Sequence, residues 1–311
     1  MNKVIITGPT GTIGHALIEK CIEERTEVYA VCRSDSKRLS AVPEHPLVHI
    51  VECELEHLPR LADKLPKECD AFYHFAWAGT TGDGRNNMYL QNQNVRYALD
   101  AVELCRAIKC RAFIGAGSQA EYGRAEGALT PLLPVFPENG YGMAKLCAGQ
   151  MTRVKCRQYG IRHIWTRILS IYGPCDGENS MIISVIRKLL EHEHAKLTRG
   201  EQMWDYLYSG DAANAMYLLG QKGISGKTYC IGSGNAAPLR QYIEALRDAV
   251  AQSLAEPPAA FELGFGDIPY GEKQVMYLCA DISELKKDTG FTAEVPFAEG
   301  IAATVDWCKS Q

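Results

Sequence analysis

Val4-Ile5-Ile6-Thr7 runs without a break into glycines at 8, 11 and 14, and an apolar-periodic stretch follows at Ile13, Ala16, Leu17, Ile18, Cys21 and Ile22. Strand, glycine turn and helix in that order form the opening of a dinucleotide-binding βαβ unit. Gly8 permits the sharp turn, Gly11 lets a pyrophosphate approach the backbone, and Gly14 allows the helix to pack close to the strand. The helix N-terminus then offers free N–H groups and the positive end of its dipole to the phosphates. Thr10, Thr12 and Ile13, interleaved with the glycines, belong to the same cofactor turn.

Beyond the first helix the pattern repeats. Strands are predicted at 27–32, 47–51, 70–75, 111–115 and 161–170. Helices are predicted at 86–109 and 141–159, the latter stopped by Gly160, with a short helical segment near 59–65. This alternation means an α/β protein with a Rossmann doubly wound parallel sheet, covered on both faces. From about residue 173 the segments shorten, with helices predicted at 181–192, 211–221, 239–253 and 297–308. A smaller C-terminal α/β substrate lobe is expected to fold over the C-terminal edge of the sheet, where open α/β sheets bind ligands. The expected division is 1–172 for the nucleotide-binding domain, rejoined by about 203–232, with 173–202 and 233–311 as the substrate lobe.

The 311 residues, 46% hydrophobic and 23% charged, suffice for a large core. A net charge of −4 argues against a nucleic-acid-binding surface. No leader-type segment precedes the first strand and no apolar run approaches bilayer-spanning length, so a cytoplasmic protein without membrane contact is expected. The 12 cysteines are scattered, without any Cys-x-x-Cys and mostly inside apolar patterns, so neither a zinc site nor a disulfide framework is expected. In Glu191-His192-Glu193-His194, residues two apart point to different helix faces, which describes a solvated helix end and no metal site.

Two further features carry chemistry. Tyr141-Gly142-Met143-Ala144-Lys145 puts a phenol and an ammonium at i and i+4, on one helix face. A neighbouring cation favours phenolate and is expected to lower the tyrosine's pKa toward working pH. Tyr141 can then give a proton to a carbonyl oxygen, or take one from a hydroxyl, while hydride moves to or from a nicotinamide. Ser118, at the end of the fifth strand, is placed at the same sheet edge to hydrogen-bond the substrate oxygen.

With these residues in view, the chain resembles the extended short-chain dehydrogenase/reductase family of nucleotide-sugar epimerases, dehydratases and reductases. The resemblance extends over essentially the whole chain. Its N-terminal half carries Thr7-Gly8-x-x-Gly11-x-x-Gly14, His74-Phe75-Ala76, Asn94-Val95, Gly117-Ser118-Gln119-Ala120-Glu121-Tyr122-Gly123 and Tyr141-x-x-x-Lys145. Arg167 through Tyr172-Gly173-Pro174, and Asp205-Tyr206 followed by Asp211, complete it. The resemblance implies Ser118, Tyr141 and Lys145 as the catalytic three, with Lys145 also holding the nicotinamide ribose. It implies Glu54 and Leu55 near the adenine, Phe75, Ala76 and Trp77 along the cofactor's middle, and Asn94 in the same site. Trp77 alternatively faces the sugar. Ser118, Gln119 and Glu121 are implied on the substrate side. Ser170 and Trp204 stand where relatives carry an asparagine and an arginine for the sugar diphosphate, and Asn179, Ser180, Arg199 and Gln202 are candidate substitutes.

In NAD-selecting relatives an acidic residue ends the second strand. Here Arg33-Ser34 stands in that place with Lys37 and Arg38 close behind, a set suited to a 2′-phosphate. NADP is therefore expected, with NAD the second choice because Asp35 is near enough to serve a ribose. Gln119-Ala120 replace the Asp-Glu pair of the 4,6-dehydratases, and neither can act as a proton-transfer acid. Ala120 and Cys175 replace the cysteine and histidine of the fucose-type epimerase/reductases, leaving Cys175 as a thiol candidate or an incidental one. The expected reaction is NADP-dependent reduction of a keto group, at C4, on a nucleotide-linked deoxysugar. An NAD-dependent C4 epimerase is the alternative. A non-catalytic NADP-sensing or binding protein is the alternative of another class, against which the retained Ser118, Tyr141 and Lys145 count. The resemblance also implies a homodimer through the helices at 86–109 and 141–159, whose outer faces are expected to carry Tyr97, Val102, Met151 and Val154.

Overall fold

The computed structural model describes residues 1–272 and 274–311. Its first half runs β1 (Lys3–Thr7), α1 (Thr12–Glu23), β2 (Glu27–Cys32), β3 (Val48–Glu52), β4 (Ala71–His74), α2 (Met88–Ala107), β5 (Ala112–Ser118), α3 (Gly140–Tyr159) and β6 (Arg162–Ile168). There follow β7 (Ser170–Tyr172), α4 (Met181–Leu190), β8 (Ala195–Leu197), β9 (Met203–Trp204), β10 (Tyr206–Tyr208), α5 (Ser209–Lys222) and β11 (Thr228–Ile231). The chain closes with β12 (Ala237–Pro238), α6 (Leu239–Leu254), β13 (Leu263–Phe265), β14 (Tyr277–Leu278), α7 (Ser283–Thr289) and α8 (Phe297–Lys309). No helix among the described residues is long and apolar enough to cross a membrane.

Seven strands form one sheet in the order β11-β6-β5-β4-β1-β2-β3, every neighbouring pair parallel. A strand buried on both faces needs apolar residues at successive positions, and these strands have them. Val4, Ile6, Tyr73 and Ile114 pack on one face against Leu17, Ile18, Met216 and Leu219 of α1 and α5. Ile5, Phe72 and Phe113 pack on the other against Val102, Leu104 and Cys105 of α2 and Cys156 of α3. The strand order reverses between β1 and β4, which opens a crevice above their C-terminal ends. A separate core joins α4, α6 and α8 through Ile186, Leu246 and Ile301, under Tyr172 of β7.

The departures from the sequence expectations have local causes. The segment expected near 59–65 is a 3-10 helix, Leu55–Lys64, with Pro59 inside it, whose ring would clash with the carbonyl four residues earlier in an α-helical turn. β5 continues past 115 to Ser118, its small Gly115-Ala116-Gly117 pairing with Trp165, Thr166 and Arg167 of β6. The sixth strand stops at Ile168, and Ser170–Tyr172 turns away to pair with β10. α7 carries no strong apolar period and was not expected. Val102, placed on an outer helix face by the sequence reading, is fully buried against the sheet. Met151 and Val154 do face outward.

Candidate active site

The glycine turn is closed to side chains where it matters. Gly8 sits at φ +73°, and a Cβ there would come within 2.8 Å of the Ala76 nitrogen. A Cβ on Gly14 would lie 2.2 Å from the Gly8 carbonyl, so α1 packs against the turn only because none is present. Gly11 caps α1 without a side chain, and the first turn carries no acidic residue. The amides of Thr12, Ile13 and Gly14 therefore face the crevice uncapped, at the positive end of the helix dipole. Across the crevice, Phe75, Ala76 and Trp77 leave the end of β4, and the Ala76 amide donates to Thr7 Oγ1 at 3.3 Å. These residues fit the pyrophosphate and middle of a nicotinamide dinucleotide. Thr10, half-buried, completes the turn.

Ser118 ends β5 and opens a one-turn 3-10 helix. Its Oγ accepts from the Ala120 amide at 3.1 Å, which leaves its hydroxyl proton free to donate. Asn139 caps α3 by accepting from the Gly142 amide at 2.8 Å, fixing the first turn in which Tyr141 stands. Lys145 is 97% buried; its Nζ donates to the Ala116 carbonyl at 2.6 Å and lies 3.8 Å from the centre of the Trp77 ring. Burial pulls the Lys145 ammonium down to about 7. Gly8, Gly11, Thr12, Ile13, Gly14, Phe75, Trp77, Ser118, Tyr141 and Lys145 thus line one cleft of about 940 Å³, counting the part open to solvent.

The sequence reading assigned Lys145 the task of lowering the tyrosine's pKa, and the geometry corrects it. Burial raises the Tyr141 phenol, and the groups that offset this are the Ser118 hydroxyl and the Arg85 guanidinium. Lys145 Nζ stands 5.6 Å from the phenol ring centre, drawn away by Trp77 and the Ala116 carbonyl. Arg85 stands 4.4 Å from it. No sequence signal marked this arginine, which sits in a glycine-rich segment with no spacing relation to Tyr141.

Several other assignments change. Glu121 does not face a substrate. It is fully buried, with Oε1 accepting from the Ser118 amide at 3.0 Å and Trp165 Nε1 at 2.9 Å, and Oε2 from Arg167 Nε at 2.8 Å. Asn94, also buried, lies one layer behind the cofactor cleft and clamps Ala78 through both its amide and its carbonyl, at 3.0 and 2.9 Å. Gln202 is buried and bonded to Thr198 Oγ1 at 3.2 Å, while Arg199 is exposed beside Tyr270. Asn179 is exposed just ahead of α4, and Ser180 caps that helix. None of these last four lines the cleft. Ser170 and Trp204 come together, Trp204 Nε1 donating to Ser170 Oγ at 2.8 Å, which turns both groups toward each other. Gln119 is half-buried next to Ser118.

At the outer end of β2, Arg33 and Ser34 are exposed, with Arg33 Nε 3.7 Å from Asp35. Arg38 donates to the Cys175 carbonyl. Glu54 precedes the 3-10 helix and Leu55 packs on the core of that sheet face. Asp176, which the sequence reading passed over, accepts from Thr12 Oγ1 at 3.4 Å, and burial raises its carboxyl. Residues 173–180 are therefore laid over the glycine turn by Arg38 and Thr12. The Cys175 thiol is buried, and burial raises it while the Arg38 guanidinium partly offsets the rise.

The model of the NAD dependent epimerase/dehydratase family matches residues 4–232. The chain is 27% identical over 187 residues to a dTDP-glucose 4,6-dehydratase of Escherichia coli, covering 57% of this chain and 52%, about half, of that protein. It is 23% identical to a CDP-abequose synthase of Salmonella typhimurium over 96% of this chain and 95% of that one. Among solved structures, the UDP-glucuronic acid 4-epimerase of Bacillus cereus in complex with NAD superposes with a TM-score of 0.82 at 19% identity, over 99% of each chain.

Proposed function

The chain belongs to the NAD dependent epimerase/dehydratase family, and we propose that it reduces a keto group, at C4, on a nucleotide-linked deoxysugar with NADPH as reductant. The observation that carries this reading is the convergence of Ser118, Tyr141 and Lys145 on a cleft floored by the glycine turn, while the one carboxylate of the Ser118 turn is locked away. Elimination of water needs a proton-transfer acid beside the sugar, and Glu121 is spent on Arg167. Proton donation to a carbonyl needs only the phenol and a hydrogen-bonding hydroxyl.

In this reading Tyr141, kept protonated at neutral pH by burial, gives its proton to the carbonyl oxygen. Ser118 donates a hydrogen bond to the same oxygen and holds it in line. The bound nicotinamide supplies the hydride. Lys145, seated on Trp77, holds the ribose on that side, and the amides of Thr12, Ile13 and Gly14 hold the pyrophosphate. Arg33, Ser34 and Arg38 take the 2′-phosphate, and no carboxylate ends β2. The relationship to a CDP-abequose synthase supports a CDP- or similarly activated sugar as the class of substrate.

The alternative, an NAD-dependent C4 epimerase, is favoured by the likeness to a 4-epimerase holding NAD and by an Asp35 that could turn to a ribose. A homodimer is part of the proposal, seated on the α3 stripe of Met143, Met151 and Val154, which are 45–49% exposed and apolar. One experiment separates reductase from epimerase. The purified protein is denatured, any released dinucleotide identified, and the stripped protein titrated with NADPH and NADH before a screen of 4-keto nucleotide sugars. Exchangeable binding that favours NADPH supports the reductase; stoichiometric, retained NAD⁺ overturns it in favour of the epimerase.

A further inference from the structure

Arg85 lies outside the motifs that define the cleft, yet its guanidinium carbon stands 4.4 Å from the centre of the Tyr141 ring, within the range of a cation–π contact. The contact is built in. Arg85 belongs to a 3-10 turn, Gly82–Asn86, and its Nη1 donates to the Thr80 carbonyl at 3.0 Å. Gln91 Nε2 ties both ends of the segment, donating to the Gly79 and Gly84 carbonyls at 2.9 Å each. Asn86 Oδ1 accepts from the Gly140 amide at 3.1 Å, and a Cβ on Gly140 would press to 3.0 Å from the Arg85 carbonyl. The arginine and the first turn of α3 are one packed unit.

We propose that Arg85 is a positioning residue for Tyr141: its guanidinium orients the phenol ring and stabilises the negative charge left on it once the proton has gone. This rests on the reading of Tyr141 as the proton donor. Among the described residues, the charged groups near the phenol are Arg85, Lys145 from its own helix and Glu121 from the turn after β5, and the Ser118 hydroxyl at the end of β5 is its hydrogen-bonding neighbour. Glu121 opposes the phenolate, and its charge is answered by Arg167. Lys145 is farther off than Arg85, and burial brings its deprotonation to about 7. A guanidinium stays charged at every working pH. Arg85 is thus the cation whose support for the phenolate does not vary as Lys145 titrates.

The test reads the phenol directly, in the cofactor-free protein, so that it stands apart from whether a keto sugar is reduced. Tyrosinate absorbance is titrated for the wild type and for Tyr141→Phe, and the difference isolates Tyr141. The same pair is then made on an Arg85→Met background. The Tyr141 ionisation is expected to move up by about one pH unit, a tenfold loss of phenolate at fixed pH, and the pH profile of kcat to move with it. Arg85→Lys is expected to restore part of the shift. An unmoved Tyr141 titration in folded Arg85→Met overturns the proposal, as does a rise confined to the KM of the sugar, which would make Arg85 a substrate contact. Should Arg85→Met not fold, Arg85→Lys reads the same titration: a smaller upward shift supports the proposal and none overturns it.

Discussion

Replacing Arg167 by methionine is the sharpest perturbation this structure offers. The Arg167 side chain is 5% exposed and its partner Glu121 is fully buried, at an Nε to Oε2 distance of 2.8 Å. The guanidinium also donates to the Pro131 carbonyl at 3.2 Å and covers the Tyr122 ring at 4.5 Å. Methionine fills much of the volume but leaves the fully buried carboxylate without a counter-charge. Breaking such a pair from one side costs about 3–5 kcal/mol, a large part of a typical domain's stability. Glu121→Gln combined with Arg167→Met keeps an acceptor for the Ser118 amide and Trp165 Nε1 and removes the orphan charge, so it is expected to cost only about 1–2 kcal/mol. Urea unfolding followed by far-UV circular dichroism, with matched m-values, measures both. An Arg167→Met loss under about 1 kcal/mol, or a double variant less stable than the single one, would refute the reasoning. Because Glu121 also holds the Ser118 amide, the single variant should lose activity beyond what its residual fold accounts for.

Tyr141→Phe should lower kcat by about 10²–10⁴-fold while leaving NADPH affinity within a few-fold, as fluorescence titration would show. Arg33→Ala should weaken NADPH about tenfold to a hundredfold and leave NADH within a few-fold; equal losses for both would place Arg33 outside the cofactor's selectivity. His74 is buried with Nε2 unpartnered, and burial lowers its pKa to about 3 from the ordinary 6.5. The unfolded chain therefore binds more protons between those values, and stability falls as pH drops through that window by up to about 1.4 kcal/mol per unit. Urea unfolding at about pH 7 and about pH 5 should show a smaller acid loss for His74→Gln than for the wild type, and equal losses would remove His74 as the cause.

What was legible in the sequence is what repeats at short range. β1, the glycine turn and α1 are written within two dozen residues, because a buried strand, a side-chain-free turn and an amphipathic helix each leave a local signature. Tyr141 and Lys145 share a face because four residues make about one helical turn. The strand boundaries drifted by a few residues where partners decide them, as at β5, which extends to Ser118 through its pairing with β6. Glu121 read as a substrate contact because it follows Ser118 in the chain; its buried partner lies 46 residues away. Arg199 and Gln202 read as substrate groups because polar side chains in irregular segments look alike until their neighbours are known.

The sequence by itself determined the α/β class, the dinucleotide turn and the three side chains meeting at the sheet edge, since each is set by spacing along a strand or helix. Only the tertiary structure decided what surrounds them. Arg85 rather than Lys145 lies nearest the phenol, Glu121 is bound to Arg167, and Asp176 reaches Thr12 across 164 residues. Such contacts depend on how separate elements pack, and burial then sets their charge: the same low-dielectric interior that locks Glu121 to its arginine draws Lys145 toward neutrality.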